Sequence, residues 1–190
     1  MRIILASQSI ARRKLLEQIG VSVEVIPSNI SELPHTGSAI RKLVLTNALR
    51  KAENISGRFQ EGLIIGADTA VYADKRIIGK PRSKKEALET LLFLTSRPHW
   101  VYTAVAVIDS ATGKEVTAVE KTKVFMHPLE KKDIADYFKK VSPLDKAGGF
   151  DIQGRGALFI RRVEGCFYTV VGLPLFRLGQ LLKEFGVRII

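Results

Sequence analysis

The chain has 190 residues, 46% of them hydrophobic, and its 30 Lys and Arg against 19 Asp and Glu give a formal charge of +11. That length and apolar fraction fit one domain spanning residues 1–190 around a single substantial core, which excludes disordered, collagen-like and low-complexity classes. Cys166 is the only cysteine, so no internal disulfide or cysteine zinc cluster is available, and no apolar run is long enough to cross a bilayer or form a signal-peptide core.

A reducing cytoplasmic setting with no membrane association is therefore expected, and the Asn-x-Ser matches at Asn29 and Asn54 are read as chance.

The elements alternate. Arg2 to Ala6 reads as a short apolar strand, Ser7-Gln8-Ser9 as a turn, and Ile10 to Ile19 as a helix with Leu15, Leu16 and Ile19 on one face. Val21 to Ile26 alternates as a second strand, and a loop through Pro27, Glu32 and Pro34 leads to a helix from Ser38 to Ile55. Its apolar stripe runs through Val44, Ala48 and Ala52, and Lys51 borders that stripe. Leu63 to Tyr72 reads as a buried strand interrupted by Gly66-Ala67-Asp68-Thr69, followed by a short return strand, Arg76 to Ile78.

Ser83 and Glu86 form a capping-box pattern for a helix to Leu94. His99 to Ile108 and Lys114 to Phe125 pair as a hairpin, Glu130 to Lys140 is a helix, and glycines at 148, 149, 154 and 156 mark irregular backbone. Ala157 to Val163 and Tyr168 to Val171 read as strands before a closing helix from Pro174 to Phe185. A hairpin inside an otherwise crossover-like order predicts an α/β domain with a mixed sheet, and function is expected in the loops at strand ends.

A charge of +11 has three readings: a nucleic-acid surface, an anionic lipid surface, or a pocket for a highly charged small anion. The basic pairs are short, scattered and interleaved with acids, with no basic tail, and the aromatics fall mostly in core patterns, so nucleic acid is not an expected partner.

Three features carry chemistry. The turn at Ser7 and Ser9 before Arg12 and Arg13 offers backbone N–H groups at a helix start together with cations, the elements of a phosphate site; its bland reading is a capped helix with solvated arginines. Asp68 is a carboxylate inside an apolar strand, a costly placement unless it is paired or metal-bound. Lys80 in Gly79-Lys80-Pro81 follows the return strand, which can bring it to the cleft holding Asp68; otherwise it is a surface lysine. No P-loop or dinucleotide glycine fingerprint is present, and the three histidines lack metal-ligand spacing.

Seven short motifs recur in register: Leu5-Ala6-Ser7-Gln8-Ser9 with Arg12, Gly66-Ala67-Asp68-Thr69, Gly79-Lys80-Pro81, His99-Trp100-Val101-Tyr102-Thr103, Asp145-Lys146-Ala147-Gly148, Ile152-Gln153-Gly154 and Val170-Val171-Gly172-Leu173-Pro174. Together they make the chain resemble the Maf-like nucleoside triphosphate pyrophosphatases along essentially its whole length. The resemblance implies an elongated mixed sheet with flanking helices in two lobes around a cleft, similar to inosine triphosphate pyrophosphatases, and a homodimer. It also implies hydrolysis of a nucleoside triphosphate to the monophosphate and pyrophosphate with a divalent cation, Mg²⁺ or Mn²⁺. By the same resemblance Asp68 is the catalytic acidic residue, a proton acceptor, Ser7, Arg12, Lys51 and Lys80 handle phosphates, Glu32 is the acid of the loop after the second strand, and Gln153 lies near the base; Asp68 and Glu32 are the carboxylates available to hold the metal or to orient the attacking water.

Thr69 and Gln153 resemble the subgroup that prefers dTTP and UTP. Ile10, Ala11, Ser31 and Thr169 depart from the family pattern, and Ala11 resembles neither that subgroup nor the 7-methyl-GTP subgroup; Arg13 is the candidate to replace the missing charge. The alternatives are a 7-methyl-GTP pyrophosphatase and a non-catalytic nucleotide or nucleic-acid binder.

Overall fold

The computed structural model describes residues 2–33 and 39–190. The start expected for the second helix, at Ser38, lies outside the described residues. In chain order the elements are β1 (Ile3–Leu5), α1 (Ile10–Gln18), β2 (Glu24–Val25), α2 (Ile40–Ser56), β3 (Leu63–Ala73), β4 (Arg76–Ile78) and α3 (Lys84–Thr95). There follow β5 (His99–Asp109), β6 (Glu115–Met126), α4 (Lys131–Phe138), β7 (Ile160–Glu164), α5 (Phe167–Val171) and α6 (Leu175–Lys183), with 3-10 turns at Ala147–Gly149 and Arg155–Leu158.

The strands form one mixed sheet in the order β2-β1-β3-β5-β6-β7, with β4 paired to β3. β1 runs parallel to β2 and β3, and the other pairings are antiparallel. Three apolar cores flank it. Leu5, Ile65 and Val105 pack under α1 and α6 on one face, while Ile4, Ala104 and Ala106 pack under α2 on the other. At the far end, Val71, Val101 and Val124 meet Leu91 and Leu94 of α3 and Ile134 of α4. β1 stops at Leu5 while its neighbour β3 continues to Ala73, so the sheet is notched beside Asp68, and the loops gather there.

The close approach of α2 to β3 depends on Gly66. A Cβ at this position would collide with the Ala48 carbonyl oxygen and lie 2.9 Å from the Ala52 nitrogen. With no side chain there, the helix backbone rests directly on the strand and its polar residues reach Asp68.

Four sequence expectations differ from the structure. Val21 to Ile26 contributes only Glu24–Val25 to the sheet, because β2 is an edge strand paired to the short β1 through two residues. The expected strand from Ala157 begins as a 3-10 turn, and β7 starts at Ile160. Tyr168 to Val171 is helical. Its aromatic and β-branched residues favour strand, but the segment lies between Gly165 and Gly172, both at positive φ, and lies across β5 and β6 instead of joining them. At α3 the Ser83 hydroxyl accepts from the Glu86 N–H as a cap, whereas the Glu86 carboxylate reaches the Arg82 N–H, one residue outside the box.

Candidate active site

A cleft of about 860 Å³ opens at the notch. One end is polar, with Ser7, Arg12, Glu32, Lys51, Asp68 and Lys80; the other is apolar, with Val71, Val101, Ala147, Phe150 and Ile152. Thr69 and Gln153 also line it, so the fold gathers residues from segments that are far apart in sequence. Arg13 is not among the lining residues. It pairs with Glu17 one turn along α1 at 3.3 Å, an exposed contact that holds it away from the position of Ala11 in this structure. Its i,i+4 geometry turns it along the outer helix face, whereas Ala11 and Lys14 line the cleft.

The centre of the polar end is Lys51. Its Nζ donates to Asp68 Oδ1 at 2.6 Å and to Glu32 Oε1 at 2.7 Å, so one ammonium joins two carboxylates. Lys80 Nζ reaches the same Glu32 oxygen at 3.3 Å. Burial, the largest influence on Glu32, pushes its pKa up, but the two lysines outweigh it and hold the carboxyl at about 2. Asp68 is buried, and its second oxygen, Oδ2, accepts from Asn47 Nδ2 at 3.2 Å.

Asn47 escaped the sequence reading. It sits one turn before Lys51 on the inner face of α2, and its Oδ1 accepts from the Leu33 N–H at 2.9 Å, tying the loop that carries Glu32 to Asp68. The available signal was a fully buried amide in the apolar stripe of α2, where an unsatisfied polar group would be costly.

Arg12 has a different geometry from a phosphate-gripping arginine. Nε donates to Gly172 O at 2.8 Å, Nη1 to Ala67 O at 3.0 Å and Ser7 Oγ at 3.1 Å, and Nη2 to Thr69 Oγ1 at 3.1 Å. Four of its five N–H groups are therefore spent on protein, leaving one for a ligand. Burial pulls its pKa down, opposed by the charges of Asp68 and Glu32. Gly172, at φ +113°, passes close by: a Cβ there would lie 3.3 Å from Thr69 Oγ1 and 3.6 Å from Arg12 Nε.

The direction of the next hydrogen bonds follows from counting protons. Thr103 donates its only hydroxyl proton to Thr169 O at 2.7 Å, so in the 2.9 Å contact between Thr69 and Thr103 the donor is Thr69. Thr69 thus accepts from Arg12 and donates to Thr103, and toward a ligand it offers only a lone pair. Thr169 is fully buried and its own Oγ1 has no partner among the described residues.

At the α1 N-terminus, Ser9 Oγ accepts from the Arg12 N–H at 3.3 Å and Ser7 Oγ from the Ser9 N–H at 3.2 Å. The N–H groups of Ile10 and Ala11, residues that line the cleft, have no protein acceptor among the described residues. Across the cleft, Asp151 Oδ1 accepts from Tyr137 Oη and from the Gly156 N–H, each at 3.1 Å, and pins the loop carrying the exposed Gln153.

No group of three or more His, Cys, Asp or Glu among the described residues is arranged to hold a metal by itself. Glu32 and Asp68 nevertheless face one another across Lys51, and a pair of carboxylates suits Mg²⁺ or Mn²⁺ that takes the rest of its oxygen shell from phosphates and water. No helix is long and apolar enough to cross a membrane among the described residues.

A mixed α/β sheet notched to form a cleft, with carboxylates, cations and free helix N–H groups at one end and an apolar wall at the other, has the composition suited to a small molecule that is anionic at one end and apolar at the other. The chain belongs to the Maf-like proteins, whose family model matches residues 2–185. A dTTP/UTP pyrophosphatase of Carboxydothermus hydrogenoformans is 42% identical over 186 residues, covering 98% of this chain and 100% of that one. Proteins of the same description from Pelotomaculum thermopropionicum and Methanosarcina barkeri are 42% and 41% identical, covering 99% of this chain and 98% and 96% of theirs. Among solved structures, Ham1 proteins of Staphylococcus aureus and Coxiella burnetii overlap 66% of this chain and 72% and 73% of theirs. Their identities are 16% and 14% and their TM-scores 0.46 and 0.48, an overlap too distant to carry an argument about the site.

Proposed function

We propose that this protein hydrolyses nucleoside triphosphates, with dTTP and UTP or modified pyrimidine nucleotides preferred, to the monophosphate and pyrophosphate. The observation that carries the reading is the Glu32–Lys51–Asp68 cluster, extended by Lys80, at the polar end of a cleft whose other wall is apolar. The names and full-length coverage of the relatives support the substrate class.

In this reading the phosphates lie along the polar end. Lys80, half exposed, and the free N–H groups of Ile10 and Ala11 meet the phosphate oxygens and stabilise charge on the departing pyrophosphate. Asp68 is held as a carboxylate by Lys51 and Asn47, and it orients the attacking water through a free lone pair. Ser7 and Thr69 contribute mainly by fixing Arg12, which brings a positive charge and one N–H to the cleft. The flat base lies against Phe150, Val71 and Val101, with Gln153 at the rim to read its edge. Mg²⁺ or Mn²⁺ on Glu32 and Asp68 supplies charge neutralisation for the triphosphate.

The reading includes a pool-cleaning role, a cytoplasmic setting, with which the free thiol of Cys166 is consistent, and a homodimer, for which Leu158 and Phe176, 86% and 71% exposed, are candidate anchors. The test is product analysis with a panel of triphosphates, including 7-methyl-GTP, with and without a chelator. Monophosphate and pyrophosphate, formed fastest from dTTP or UTP and only with a divalent cation, are expected. Release of orthophosphate, or saturable binding without turnover, refutes the reading.

A further inference from the structure

On the side of the sheet opposite Val71 and Val101 of the cleft, β5 and β6 carry a second surface. The side of β5 and β6 that α2 covers at Ala104 and Ala106 continues beyond that core with Trp100, Lys121, Lys123 and Phe125, joined on β7 by Arg162. The opposite side is filled by the core of α3 and α4, so among the described residues this end of the molecule is two layers deep with one open sheet face. Trp100 stands opposite Lys123 and Phe125 opposite Arg162 in the strand register. Lys121 and Lys123 Nζ lie 4.7 and 5.7 Å from the Trp100 ring centre, and the Arg162 guanidinium lies 4.2 Å from that of Phe125. None of the five lines the cleft.

We propose that this face binds a single-stranded nucleic acid, with Trp100 and Phe125 stacking on bases and Lys121, Lys123 and Arg162 taking phosphates. Half-buried aromatic rings alternating with cations on an open antiparallel sheet supply the two contacts such a strand needs, ring faces and positive charge at neighbouring positions. Each ring is now faced by a cation. A base that stacks on a ring displaces the cation now facing it, and the displaced cation meets the phosphate beside that base.

Charge decides between partners. Three cations against Glu164 make the face positive, so a second copy placed on it by a two-fold axis sets like charges together. A duplex offers phosphates but hides its bases, and an acidic polypeptide offers charge but no ring to stack. Nucleic acid was set aside on sequence because each aromatic taken singly fits a core pattern; the pairing of β5, β6 and β7 is what puts two of them on one surface among lysines.

Trp100 is the only tryptophan, so tryptophan fluorescence excited apart from the tyrosines reports on this face. The experiment titrates the full-length protein with an oligothymidylate of about 10 nucleotides, the cleft being saturated with a non-hydrolysable dTTP analogue. Saturable quenching is expected, and with three phosphate contacts the affinity should fall with salt at a log–log slope of about −2, roughly 20-fold between about 50 and 200 mM. K121E/K123E, confined to the outer face, should abolish the quench while dTTP hydrolysis is unchanged. The proposal is overturned by no quenching, by equal affinity for polyglutamate or a duplex, by loss of the quench when the analogue is added, or by K121E/K123E binding as wild type. Sedimentation showing a dimer that buries Trp100 and that K121E/K123E dissociates would likewise overturn it, assigning the face to a second copy.

Discussion

Replacing Lys51 with methionine removes the one ammonium between Glu32 and Asp68. In the native protein the side chains of Lys51, Asp68 and Glu32 are 9%, 5% and 29% exposed, so the contact with Asp68 is the buried one. Without Lys51, Asp68 keeps only the Asn47 amide, whereas Glu32 keeps Lys80 and some water. Breaking a buried pair by removing one partner costs roughly 3–5 kcal/mol, and the access of Glu32 to solvent argues for the lower end, about 3 kcal/mol. For a chain of this length that lowers Tm by about 10 °C.

The pH dependence supplies the stricter check. Glu32 titrates at about 2 in the fold, below its ordinary 4.5, so its charge stabilises the native protein fully above about pH 4.5, and this contribution fades as pH falls toward 2. In K51M the lysine that does most to lower this pKa is gone while burial remains and Asp68 faces Glu32 unshielded, so the carboxyl titrates higher and its ionisation destabilises the fold. The Tm gap between wild type and K51M, measured by calorimetry in chelator, is therefore widest near about pH 7 and narrows toward about pH 4.5. His99 is present in both proteins and cancels. Adding E32Q to K51M removes one of the facing charges and recovers part of the loss. A gap below about 2 °C, or one that widens on acidification, refutes the assignment of Lys51 as the bridging cation.

Asp68→Asn keeps the shape of the site but removes the charge that Lys51 and Asn47 hold, so pyrophosphate release from dTTP should fall by about 10² or more while the protein still folds; near-wild-type turnover excludes Asp68 as the water-orienting group. Arg12→Lys cannot reach the four acceptors Arg12 serves, and a Tm loss of roughly 5–10 °C is expected alongside lost activity. An unchanged Tm with only a raised KM would show that Arg12 binds phosphate and ties nothing. His99 is buried edge-on against Phe150, and desolvation, opposed by backbone carbonyls, lowers its pKa to about 4. The unfolded chain therefore binds a proton that the native one refuses, and stability present above about pH 6.5 declines between about 6.5 and 4. His99→Gln should flatten that decline in a denaturant titration; an identical pH profile contradicts the buried neutral imidazole.

How much of the site was legible depended on the kind of partner each residue has. Asp68 announced itself because a carboxylate in an apolar strand needs a counter-charge, and a lysine bordering the stripe of the preceding helix was there to supply it. Lys80 was found from the turn that returns the chain to the cleft. Arg12 was found but its protein contacts were not, because two of its acceptors are the carbonyls of Ala67 and Gly172, and a carbonyl leaves no mark on residue identity. The same holds for α5. Phe167 to Val171 has the composition of a strand, and what makes it a helix is its seat across β5 and β6 between two glycines at positive φ, a tertiary cause that a local pattern does not carry.

Net charge shows the same limit most clearly. A value of +11 describes the chain, yet the chemistry depends on which cations fold brings together and what they then have left to give. Lys51 spends its charge on two carboxylates and Arg12 spends four of five N–H groups on protein, so the most buried cations of the cleft are also the least free to grip a substrate. In the proposed reading, phosphate contact falls mainly to the exposed Lys80 and to backbone N–H groups at the start of α1, with Arg12 adding its one free N–H. Triphosphate affinity should therefore depend more steeply on Lys80 than on Arg12, once the stability lost with Arg12 is restored by working at low temperature. Equal KM effects from K80A and R12K in folded protein would show instead that the guanidinium has more than its one free N–H to offer.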